Sequence, residues 1–196
     1  YHICCFFSIC FLVRITFSLF SYPDIMKRLK YYILGGILFV LVFGTLSHFV
    51  YEWSGNNTFL GLFFPVNEST WEHMKLVFFP MLVYGIFMKQ RLQQEYPCIL
   101  SALPAGILTG SLLIPVIFYT YSGIIGQNFL PADIAVFIIS VLLAFLVIYK
   151  LTLSCSYFFV SAILWTVVFL FTLCFFIFTY TPPDIGLFIN PESNSS

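Results

Sequence analysis

The sequence predicts an all-α fold: a polytopic membrane bundle of five transmembrane helices. Three observations carry that prediction. Of the 196 residues, 61% are hydrophobic and only 8% are Asp, Glu, Lys or Arg, against the roughly 45–50% apolar and 25% charged residues of a soluble domain. The apolar residues come in long uncharged runs, not in the stripe that marks a helix with one wet face. The basic residues cluster on one side of the arrangement these runs imply, which is the pattern that orients a chain in a bilayer.

Taken in order, residues 1–25 fit least well. They place Arg14 inside an apolar run and are followed by "MKRLKYYILGG", a Met with a basic flank. The expectation is that the authentic start is Met26, that residues 1–25 are an N-terminal extension, and that 26–196 form one transmembrane helical domain. A signal peptide would carry a basic region ahead of its apolar part. A sixth span would bury Arg14 at a cost of about 2.5–3.5 kcal/mol.

From Tyr31 to Tyr51 the chain has no formal charge, and this run is about 31 Å of helix against a hydrocarbon core of about 30 Å. The second span is expected from Thr70 to about Gln94, with Pro80 inside it. Its uncharged part, Leu76 to Met88, gives only about 20 Å of helix. Lys89 and Arg91 can snorkel to the interface, so the shortfall draws Glu72, His73 and Lys75 toward the outer hydrocarbon boundary. The third span runs from Pro97 to Tyr121, the fourth from Pro131 to Tyr149 and the fifth from Ser156 to Thr181. In the third, Ala102, Gly106 and Gly110 recur every four residues, a pattern that lets another helix approach closely. Pro80, Pro104 and Pro115 are expected to kink their helices. The six cysteines show no C-x-x-C pair and read as small buried hydrophobes.

Lys27, Arg28 and Lys30 precede the first span, Lys89 and Arg91 follow the second, and Lys150 follows the fourth. The opposite connections, 54–69 and 122–130, and the tail after Thr181 contain no Lys or Arg. The amino end is therefore expected in the cytoplasm and the carboxyl end outside.

Charge is concentrated in "NESTWEHMK", Asn67 to Lys75. Ser69 and Glu72 have the spacing of a capping box, in which the Ser hydroxyl accepts the Glu72 N–H and the carboxylate accepts the Ser69 N–H. Glu72 and Lys75 are i,i+3 neighbours able to pair, and Trp71 suits the interface. On the first span His48 and Glu52 share a face, and the connection between the two spans can bring their outer ends together. The expected polar site is His48, Glu52, Glu68, Glu72, His73 and Lys75. Ionisable groups at membrane depth are functional candidates by default. Three uses remain open: a structural lock between helices, a divalent-metal site of imidazole and carboxylate ligands suited to zinc, manganese or iron, and a proton or cation relay. Asp133, just after Pro131, fits the first turn of the fourth span, where a carboxylate complements the helix dipole.

The segments "HFVYEWSGNN", "PVNESTWEHMKLVFFP" and "FTYTPPDIGLF" resemble a functionally uncharacterised family of small multi-pass membrane proteins of Gram-positive bacteria. The likeness covers Met26 to about Pro191. It implies one helical domain in a bacterial plasma membrane and carries over no catalytic residue.

No P-loop, G-x-G-x-x-G, G-x-S-x-G or H-E-x-x-H motif occurs, which leaves nucleotide binding and the common hydrolase chemistries without support. The zero formal charge gives no electrostatic footprint for nucleic acid. The expected function is that of a structural or binding component of the membrane. The rivals are a membrane-embedded metal-dependent enzyme and a proton- or cation-coupled transporter. The bilayer is the first partner, with another membrane protein or a second copy as the next, and no cofactor is expected beyond a divalent metal.

Overall fold

A computed structural model describes residues 2–155 and 160–189, with side chains from residue 27 onward. The regular elements among these are helical: α1 (His2–Trp53), α2 (Thr58–Gly61), α3 (Thr70–Leu92), α4 (Ile99–Ile125), α5 (Leu130–Ser154), α6 (Ser161–Phe178) and a 3-10 turn, Gly186–Phe188. Arg14, and with it the expectation of an extension over residues 1–25, lies outside the described side chains.

Among the described residues four helices are long and apolar enough to cross a membrane: Lys27–Trp53 of α1, and α4, α5 and α6, with mean hydropathies between 1.9 and 2.7. Five were expected. The one that falls short is α3, whose 23 residues make about 34 Å of helix but include Glu72, Lys75, Lys89 and Arg91. Its surroundings explain how such a helix is accommodated. α3 packs on α1, α4 and α5 and against the 3-10 turn, burying Met74, Val77, Phe78, Met81 and Met88. The charged first half of the most polar long helix is therefore enclosed by protein, while its own Val83 and Ile86 are exposed and the outer faces of the other helices carry exposed apolar side chains such as Leu38, Val42, Leu142 and Phe169. A chain in water would arrange the two the other way round.

α4 and α5 pair most extensively, and the small residues of α4 explain how. A Cβ on Gly106 would overlap Ile148 and come within 2.9 Å of the Ala144 carbonyl, and one on Gly110 would lie 2.8 Å from the Ala144 Cβ. α4 ends at Gly126, whose φ of 82° is the left-handed turn that lets its N–H reach the Ser122 carbonyl. Asp133 then falls in the first turn of α5.

The same pairing brings the start of α4 to the end of α5, and Cys98 and Cys155 form a disulfide there, with Cα atoms 5.2 Å apart. The reading of all six cysteines as buried hydrophobes fails for this pair, because 57 residues of sequence separation hide a contact made only by helix packing. Cys174 is free and half-buried. At the same end of the bundle Arg28 pairs with Glu95, and the Leu100 carbonyl accepts from both Ser161 Oγ and Trp165 Nε1, at 2.9 and 2.8 Å.

Candidate functional site

At the opposite end, α3 begins at Ser69, which has the extended backbone of an N-cap and accepts the Glu72 N–H at 3.4 Å. The return bond of a capping box is not made. The Ser69 N–H instead donates to Asn67 Oδ1 at 2.9 Å. The Glu72 carboxylate turns to two donors with greater need, accepting the Val66 N–H at 3.0 Å and the Lys75 ammonium at 2.7 Å through Oε2.

Lys75 is fully buried and Glu72 is 2% exposed. A buried ammonium is tolerable only if each of its three protons is taken, and here each is. Nζ donates to Glu72 Oε2 at 2.7 Å, to Thr179 Oγ1 at 2.6 Å and to the Gly61 carbonyl at 2.9 Å. Thr179 has one proton of its own, which goes to the Phe175 carbonyl at 2.6 Å; its 3.4 Å approach to Glu72 Oε1 is the weaker contact. Tyr180 adds a bond to the Thr58 carbonyl at 2.6 Å. One ammonium thus ties α3 to α2 and to the residue that caps α6. Trp71 closes the cluster from the side, buried among the rings of Phe171, Phe175, Phe178 and Phe188. It was expected at the interface, but the end of α6 and the 3-10 turn cover it, and its Nε1 has no acceptor among the described residues.

The other polar residues of the motif face away from this cluster. Nε2 of His48 and Nε2 of His73 each lie 3.4 Å from the same oxygen, Oε2 of Glu68. The two rings stand edge to face, with centroids 5.4 Å apart. His48, His73 and Glu68 keep 32%, 29% and 41% of their side-chain surface exposed. The hydrogen-bonding contact with His48 is the chief reason the Glu68 carboxyl is held below the usual carboxylate range, against the effect of its partial burial. His73 Nδ1 is 3.0 Å from the Ser69 carbonyl. A carbonyl can only accept, so Nδ1 carries a proton and Nε2 is the atom turned to Glu68.

The triad forms one wall of a cavity of about 450 Å³, with Asp133 and Asn128 among the other lining residues and Phe118, Phe129 and Phe137 among the apolar ones. Asp133 Oδ1 accepts a hydrogen bond from Tyr121. Concave sites with a largely apolar lining and a few converging polar groups are the usual form of a ligand pocket.

The six residues expected at one polar site therefore separate. Glu72 and Lys75 form a buried knot, His48, Glu68 and His73 form an open triad, and Glu52 is exposed and reaches His48 only through its charge. Sequence reasoning missed Thr179 and Gly61, which serve the knot from 104 and 14 residues away with no periodic signal. It read Asp133 first as a helix-dipole residue, with a pocket role as the alternative, and did not join it to the cavity that His48, Glu68 and His73 line.

No curated protein and no solved structure matches the sequence. One family model does, that of a family of unknown function, DUF6512, across residues 21–194. With all but the first 20 and the last two residues inside that match, the chain belongs to the DUF6512 family.

Proposed function

We propose that the protein is a multi-pass protein of the plasma membrane whose outer end carries a ligand-binding pocket, and that it acts as a binding component. On this reading α3 is a fifth span, shielded by its neighbours, with the amino end of the chain in the cytoplasm and the carboxyl end outside. The distribution of Lys and Arg supports the orientation. The confinement of charge on α3 to its two ends, around an apolar run that includes the buried Val77, Phe78 and Met81, supports the span.

One observation carries the functional part. The Glu72–Lys75 knot is sealed and every proton of its ammonium is taken, whereas His48, Glu68 and His73 converge at the cavity wall with solvent access and only long mutual contacts. A cluster kept for structure would be expected to look like the first kind. Thiol labelling tests the reading. Asn128→Cys, at an exposed position in the cavity lining, should react with a membrane-impermeant maleimide added to intact cells, above the background of the parent chain. Labelling only after the membrane is opened would reverse the orientation and remove the outward-facing pocket.

A further inference from the structure

We infer that His48, Glu68 and His73 form a binding site for one divalent transition-metal ion, zinc being the best match to the donors. The inference rests on the reading of the cavity as a binding pocket and names what binds first in it.

The spacing is the starting point. Three ligands of a tetrahedral zinc, each about 2.0–2.1 Å from the ion, stand about 3.3 Å from one another. Both Nε2 atoms lie 3.4 Å from Glu68 Oε2, and donor atoms of all three residues fall within 4.8 Å of one another. A charge-assisted hydrogen bond between an imidazolium and a carboxylate would close to about 2.7–2.9 Å. The observed 3.4 Å is longer than that and matches the spacing of ligands around a common centre, with the imidazole pair closing on binding.

Hydrogen bonding on the far side of His73 agrees. The Ser69 carbonyl fixes a proton on Nδ1, so the nitrogen left to take a metal is Nε2, the one turned toward the carboxylate oxygen. A metal ion between Nε2 and Oε2 would be held by a lone pair from each. A backbone carbonyl holding the outer nitrogen of a ligand histidine is the usual support of such a site. The donors come from α1, from the loop before α3 and from the first turn of α3, so the ion would join two helices.

Charge and access complete the case. Two neutral imidazoles and one carboxylate leave a bound divalent ion with a net charge of about +1, and the Asp133 carboxylate lines the same cavity. Asp133 is not in the ligand group. Three protein ligands leave a coordination position that faces the cavity, as open zinc sites do.

The test uses the full chain purified in detergent, treated with a chelator and titrated with zinc by calorimetry, with cobalt as an optical stand-in. One zinc per chain, with affinity at least 100-fold weaker in Glu68→Gln and in His73→Ala, is the expected result. Cobalt should give the intense visible band of a four-coordinate site with wild type, a readout that needs no variant to fold. A wild-type chain that takes up no zinc and leaves cobalt with the weak spectrum of its hydrated ion would overturn the site, as would unchanged affinity in both variants. The Asn128→Cys labelling separates this failure from that of the pocket. Labelled but metal-free protein removes the metal site and keeps the outward cavity, whereas metal bound without labelling from outside keeps the site and reverses its orientation.

Discussion

Two polar clusters sit within a few residues of each other at the start of α3, and their chemistry is almost opposite. In the knot, Lys75 and Glu72 are 0% and 2% exposed, and every proton of the ammonium has an acceptor. In the triad, three ionisable side chains remain about a third exposed or more, and both contacts to Glu68 are 3.4 Å long. The difference teaches how to read charge inside an apolar bundle. A desolvated ion pair is tolerable only when its geometry is complete, and a complete geometry has nothing left to offer a ligand. Groups that keep water and leave donors unsatisfied contribute little to folding and are free to bind.

The comparison breaks most readily from the knot side. Lys75→Met leaves the Glu72 carboxylate buried without its counter-ion, and chemical denaturation in detergent should show a loss of about 3–5 kcal/mol. Adding Glu72→Gln, which keeps an acceptor for the Val66 N–H, should recover a large part of that loss; a double variant as unstable as the single one would mean that the ammonium serves something other than the pair. Thr179→Val removes one acceptor from Lys75, and a cost of about 1–3 kcal/mol is expected from the unsatisfied proton.

On the triad side the expected effects on folding are smaller. In metal-free protein, Glu68→Gln and His73→Ala should change stability by less than about 1 kcal/mol, as partly exposed substitutions do. The smallest effect is on pH dependence. Because the folded state lowers the Glu68 pKa, the stability its ionised form contributes is fully present above the ordinary glutamate value of about 4.3 and is lost as pH falls through the lowered value. Melting profiles of wild type and Glu68→Gln should therefore run parallel between pH 7 and 5 as far as this group is concerned. They should converge only under more acid conditions, and convergence already at pH 6 would mean that the carboxyl is not held low.

Much of the fold was legible because bilayer thickness and charge act on local sequence. The run from Tyr31 to Tyr51 falls within α1 (His2–Trp53), and Pro131 opens α5 with Asp133 in its first turn. The start of α3 at Thr70 follows from the Ser69 cap. What stayed hidden depends on packing between distant segments. The second half of the capping box was lost to Val66 and Lys75, donors whose need for a partner arises only once the bundle buries them. Cys98 and Cys155 meet because Gly106 and Gly110 let α5 come close. For the candidate site, the sequence named all three triad residues but could not divide them from the knot, since His73 and Glu72 are adjacent in the chain and face different surroundings in the fold.

The most direct measurement is the thermal melting of wild type and Glu68→Gln in detergent, each with and without saturating zinc. Ligand present at about 100 times its dissociation constant stabilises the folded state by about 2.7 kcal/mol, so zinc should raise the wild-type midpoint by several degrees and leave Glu68→Gln nearly unmoved, while the two metal-free midpoints differ by no more than a change of about 1 kcal/mol produces. Equal midpoints for wild type with and without zinc, or a metal-free Glu68→Gln as destabilised as Lys75→Met, would contradict the division of the two clusters into one that holds the fold and one that binds.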